Sequence, residues 1–109
     1  MMIRRAAVVL AGAGMAVAVH AADGDVAAGR QKAAACVVCH GSLGLATLPD
    51  APNLAGQPAP YLAAQLKAYR GGTRQHDVMT LMAKPLSDVD IENLAVWYSS
   101  LKVQVQALP

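Results

Sequence analysis

Ala35-Cys36-Val37-Val38-Cys39-His40-Gly41 holds both cysteines of the 109-residue chain, separated by two residues, with a histidine directly after the second. A disulfide across so short a loop would restrict the unfolded chain little and be a poor staple. A thioredoxin-like redox dithiol works within a βαβ frame, and no run of β-branched residues flanks the pair. A zinc site needs four ligands. Beyond Cys36, Cys39 and His40, the only further nitrogen donor after residue 21 is His76.

Cys-x-x-Cys-His is also the signature of covalent haem attachment, in which two thiols become thioethers to the macrocycle and the neighbouring imidazole reaches the iron. One helical turn sets both sulfurs along one edge of the ring with His40 beside them. Haem attachment is the favoured reading. A redox dithiol and a zinc site remain the alternatives.

The start of the chain supports the haem reading independently. Met1 to Arg5 forms a short basic region, Ala6 to Val19 is uncharged and apolar, and Val19-His20-Ala21 is a small-x-small cleavage site. The expected product of cleavage after Ala21 is a periplasmic domain of residues 22–109, with 1–21 as the signal peptide. An uncleaved anchor is the weaker reading, because the apolar stretch is shorter than the roughly 20 residues that span a bilayer and contains Gly12 and Gly14. Arg4-Arg5 fits a twin-arginine signal and equally an ordinary basic leader.

The formal charge of +2 comes from nine Lys and Arg against seven Asp and Glu. Removing Arg4 and Arg5 leaves seven against seven, and a neutral chain lacks the positive field that nucleic-acid binding requires. Residues 22–109 contain 44 hydrophobic side chains, of which 16 are alanine, and only four aromatics. That is little bulk for an interior at a size where burial barely offsets conformational entropy. Such a chain either associates or wraps something large and apolar.

Three helices are legible. Asp25 is a predicted N-cap for a helix running to about Ala35, with Val26, Gly29 and Ala33 on one face. Pro60 suits the first position of a second helix in which Leu62, Leu66 and Tyr69 recur on one side and Gly71-Gly72 marks the end. Ser87 with Asp90 makes a capping-box-like start to a third, Leu86 and Ile91 occupy the staple positions, and Ile91, Leu94, Tyr98 and Leu101 form its buried face. Residues 41–59 and 71–85 are predicted to be long loops that need a surface to pack against, and Val103 to Pro109 a frayed tail.

These segments together resemble the class I cytochromes c, and in particular the bacterial cytochromes c4, c5 and c553. The likeness rests on Ala35 to Gly41, Pro52-Asn53-Leu54-Ala55-Gly56-Gln57, Tyr61-Leu62-Ala63-Ala64-Gln65-Leu66, Met79-Thr80-Leu81-Met82 and Leu86-Ser87-Asp88-Val89-Asp90-Ile91. It implies an all-α, small class I cytochrome c fold, with three main helices and long loops wrapped around one covalent haem c. Cys36 and Cys39 would carry the haem, with His40 and Met79 as the iron ligands. Met82 is the competing sixth ligand and His76 the outsider. The resemblance further implies that a proline carbonyl, Pro52 ahead of Pro49, accepts from the haem histidine, and that the third helix crosses the first near Gly29. Trp97 would shield the haem or lie at that crossing, with burial without function the favoured account.

With both axial positions filled by protein, electron transfer is favoured over catalysis at the iron. The implied function is a monohaem c-type electron carrier, not an enzyme, that cycles Fe(III)/Fe(II) between respiratory or dehydrogenase partners. It would dock them transiently through interfaces below about 1,200 Å² and meet a membrane only through a partner complex. The alternatives are a haem c subunit of a larger oxidoreductase and a thiol-disulfide oxidoreductase. Residues 67–84 are rich in basic side chains and 85–109 in acidic ones, which would give a dipole able to orient a partner or offset haem propionates. A merely solvated loop is the plain alternative.

Overall fold

Asp25 opens the first helix as its position predicts: its carboxylate accepts from the Ala28 N–H at 2.9 Å, satisfying one of the free donors of the first turn. This arrangement comes from a computed structural model that describes residues 9–15 and 24–109. The predicted leader falls largely outside the described residues, as does its cleavage junction at Ala21. Residues 9–15 have no regular secondary structure.

The described elements are helical throughout, with no strand. Helix α1 spans Val26–Lys32, a 3₁₀ turn covers Ala33–Cys36, and α2 spans Val37–His40. The attachment motif therefore straddles a 3₁₀-to-α junction instead of lying beyond the end of one regular helix. Helix α3 spans Ala59–Gly71, α4 Asp77–Ala83 and α5 Asp88–Ser100. Among the described residues no strands form a βαβ frame of the kind a thioredoxin-like dithiol works in.

Helices α1 and α5 cross at Gly29, where the absence of a side chain permits close approach. A Cβ built on Gly29 would lie 2.8 Å from Trp97 Cβ and closer still to the Asn93 carbonyl. Asn93 also accepts from the Asp25 N–H at 2.7 Å, and the Arg30 guanidinium lies 5.6 Å from the centre of the Trp97 ring. Trp97 is thus a buried crossing residue.

Helix α3 packs on α5 through Leu62, Ala63 and Leu66 against a core containing Ile91, Leu94 and Ala95. Ile91 is fully buried, which contributes about 1.5–3 kcal/mol of hydrophobic stabilisation. The capping box is complete: Ser87 and Asp90 exchange side-chain to main-chain bonds, each of 3.0 Å.

Three expectations are corrected. Pro60 takes the second helical position of α3, because Ala59 is already helical and Pro58 is the cap; its fixed φ and missing N–H are tolerated throughout a first turn. The 71–85 stretch is not a continuous loop, since α4 occupies half of it. His76 caps α4, its Nδ1 accepting from the N–H groups of Val78 at 3.2 Å and Met79 at 3.3 Å. The charge asymmetry is also partly neutralised, because Lys67 pairs with Glu92 at 2.8 Å and Arg70 with Asp88 at 2.6 Å, while Arg74 and Lys84 form no ion pair among the described residues.

The 41–58 loop is held by its own main chain and by α5. The Gly44 carbonyl accepts from Leu54 and Ala55 at 2.7 and 3.0 Å, and the Gly56 N–H reaches the Tyr98 carbonyl at 2.9 Å. Helix α3 ends where predicted, at Gly72, whose φ of 85° lies in the left-handed region open to glycine.

Candidate functional site

A cavity of about 420 Å³ opens between the attachment motif, the 48–57 loop, α3, α4 and the inner face of α5. Leu48, Leu54, Leu62, Leu66, Leu94 and Ala95 supply its apolar walls. Cys36, Cys39 and His40 reach it from one side and Met79 and Met82 from α4. The fold therefore brings all four predicted site residues to a single space.

The two cysteines are not bridged to each other, and each is half-buried. Burial is the main influence that pushes the Cys36 thiol up, the Tyr98 hydroxyl opposes it and Cys39 adds to it. His40 is 6% exposed, and its Nδ1 lies 2.9 Å from the Pro52 carbonyl oxygen. A carbonyl only accepts, so the ring proton sits on Nδ1 and the lone pair of Nε2 is left as a donor to a metal. Pro52, not Pro49, makes this bond.

Met79 and Met82 lie three residues apart on α4, so both reach the cavity from one helical face. Met82 is 39% exposed and Met79 is the more buried of the two. His76 also lines the cavity, yet its Nδ1 is committed to the α4 cap.

Tyr98 was legible in the sequence only as core. Its side chain is 4% exposed, its ring lines the cavity, and its buried hydroxyl has the Cys36 thiol beside it but no hydrogen bond of good geometry. Burial is the first cause, and the neighbouring Cys36 the second, of a hydroxyl pKa pushed far above its ordinary value. An orphaned buried hydroxyl costs stability unless something completes its environment. Together with two thiols, an oriented imidazole and soft thioethers around an apolar space, it fits an occupant that is large, flat, mostly apolar and metal-bearing. Among the described residues no group of three or more His, Cys, Asp and Glu side chains gathers to hold a bare metal ion. No described helix is long and apolar enough to cross a membrane.

Comparison with known proteins agrees with this geometry. The cytochrome c family model matches residues 26–102. Cytochrome c-554(548) of Halomonas halodenitrificans is 50% identical over 80 residues, covering 71% of this chain and 96% of that protein. The thiosulfate dehydrogenase electron acceptor of Thiomonas intermedia is 43% identical over 103 residues, covering 93% of this chain and 47% of that protein. The structure of reduced cytochrome c4 from Pseudomonas stutzeri superposes with a TM-score of 0.70 at 41% identity, over 75% of this chain and 48% of that one. The chain thus spans nearly all of the first relative and about half of the other two.

Proposed function

The chain belongs to the cytochrome c family, and from that premise we propose that it is an exported, periplasmic single-electron shuttle whose haem c is held by Cys36, Cys39, His40 and Met79. Family membership establishes covalently bound haem c with its iron and the role of electron carrier. The attachment residues, the compartment and the partners are inferred. One observation carries the assignment of residues: both thiols, the Pro52-oriented imidazole and the α4 methionines line one apolar cavity.

When bound, the haem supplies a one-electron Fe(III)/Fe(II) couple. Cys36 and Cys39 tether it, and the short Val37-Val38 spacer within α2 fixes the distance between the tethers. Pro52 fixes the tautomer and orientation of His40, leaving Nε2 as the atom that would hold the iron. Met79 supplies a soft, neutral thioether that favours the reduced metal and raises the potential. Leu54, Leu62, Leu66 and Leu94 supply apolar surface that would pack against the haem. If His40 and Met79 both hold the iron, substrate chemistry at the metal would be disfavoured.

Respiratory complexes or dehydrogenases are the inferred partners, met through small transient interfaces. The name of the Thiomonas relative supports a dehydrogenase as the donor. Protein produced in cells that attach haem is expected to be red, to show a c-type absorption spectrum and to leave no thiol open to a thiol reagent. A folded, colourless product with both thiols titratable overturns the assignment. Size-exclusion of native extract then separates a diffusible carrier from a subunit that migrates with a larger complex.

A further inference from the structure

Helix α4 carries both cavity methionines, yet it is only seven residues long and buries Ala83 alone. A helix of that length is marginal without outside support, and apart from packing on α3 the support comes from one residue, His76. The His76 ring Nδ1 accepts from the N–H groups of Val78 at 3.2 Å and Met79 at 3.3 Å. The His76 main-chain N–H donates to Thr80 Oγ1, and its carbonyl accepts from the Thr80 N–H, each at 2.9 Å. The two main-chain bonds do not depend on the side chain at 76. The two ring bonds do, and one of them ends on Met79 itself.

We propose that His76 is a positioning residue for the axial thioether: by capping α4 at Val78 and Met79 it holds the Met79 side chain ready for the iron and limits how often that bond opens. The inference rests on the reading of Met79 as the iron ligand. A ligand presented by a preformed turn loses less conformational freedom on binding than one carried by a loose loop. Cap and axial bond favour the same arrangement of α4. Losing the ring acceptor should therefore raise the fraction of protein with Met79 released by about fivefold, the usual worth of an N-cap.

The test uses the haem-loaded, oxidised protein with imidazole as the probe, titrated by absorption spectroscopy. Imidazole takes the axial position only where Met79 has left it, so its apparent affinity reports the released fraction. His76→Ala is expected to bind imidazole about fivefold more tightly than wild type. His76→Asn places an amide oxygen where Nδ1 stands and should restore the wild-type affinity. His76→Gln carries its oxygen one bond farther out and should behave as the alanine variant does. Ser87→Ala removes a comparable cap from α5 and should leave imidazole affinity unchanged while lowering global stability. Equal affinities throughout the His76 series, or a shift in Ser87→Ala as large as in His76→Ala, overturn the positioning role. Recovery by glutamine instead of asparagine overturns it as well, since the ring would then act through Nε2. A Met79→Ala protein that keeps the Met-ligated spectrum overturns the ligand reading and this inference with it, and a wild-type protein without a c-type spectrum overturns the haem site itself.

Discussion

His40 Nδ1 lies 2.9 Å from the main-chain oxygen of Pro52, twelve residues along the chain. This bond joins the end of the attachment helix to the loop that walls the cavity, so ligand orientation depends on loop conformation. The loop in turn is tied to α5 by the bond from Gly56 N–H to the Tyr98 carbonyl. A side chain can be replaced at Pro52 without removing the acceptor.

Pro52→Ala therefore keeps the carbonyl and loses only the restriction on φ. The expected cost is about 0.4–1 kcal/mol, arising from greater freedom of the unfolded chain and measured by denaturant titration. The hydrogen-bonded Nδ1 proton of His40 should remain visible by NMR. Its disappearance would mean that the proline ring itself, beyond its carbonyl, positions the histidine.

The two α4 methionines give opposite expectations although both reach the cavity. Met79→Ala should abolish the low-spin, Met-ligated absorption spectrum and lower the potential, whereas Met82→Ala should largely retain both. The more exposed Met82 is the adaptable filler of the pair. The reverse outcome in the same spectra and titrations would move the ligand to Met82.

The parts of the fold that could be read from sequence were those with local chemistry. Asp25, Ser87 and Asp90 cap helices through bonds to residues three positions away, and Gly72 ends one through its own conformation, so each signal is complete within a few residues. Helix α4 was hidden because its cap is a histidine, a residue outside the usual N-cap set, and because seven residues between Gly72 and Pro85 give barely two turns of periodicity. The pairing of Met79 with Met82 at helical spacing was the available cue. Tyr98 was legible from sequence only as core, and Arg74 only as one of several basic side chains. Their surroundings come from α1, α3 and the cavity, which only long-range packing assembles, and the same packing turned an apparent charge dipole into the Lys67–Glu92 and Arg70–Asp88 pairs.

Gly29→Ala should be strongly destabilising although alanine is the better helix former. The added Cβ would meet the main-chain carbonyl of Asn93 and sit 2.8 Å from Trp97 Cβ. Neither can rotate away, so α1 and α5 must separate. The expected net cost is about 1–3 kcal/mol. Gly71→Ala is the control, since a Cβ there meets nothing within 4 Å; it should be neutral or stabilising by up to about 0.5–1 kcal/mol. Denaturation midpoints of the two variants moving together would show that the crossing yields.

The start of α5 should make stability depend on pH in a definite direction. The Ser87 main-chain N–H is the main cause holding the Asp90 carboxyl below its ordinary value; partial desolvation opposes it, and Lys32 and the Ser87 hydroxyl add to it. Asp88 is shifted the same way by the Arg70 guanidinium. A group whose folded-state pKa is lowered binds fewer protons in the folded state. Its contribution is therefore fully present above the unfolded carboxylate value, about 3.9, and is lost as pH falls through the lower folded value. Asp90→Asn should accordingly melt below wild type at pH 7, with the gap closing as pH falls from about 4 toward still lower values. Ser87→Ala removes a neutral acceptor and should cost about 1 kcal/mol at pH 7, with much of that loss persisting in acid. If the Asp90→Asn gap instead stayed constant across the acid range, the cap would act through hydrogen bonding alone and the carboxylate charge would contribute nothing.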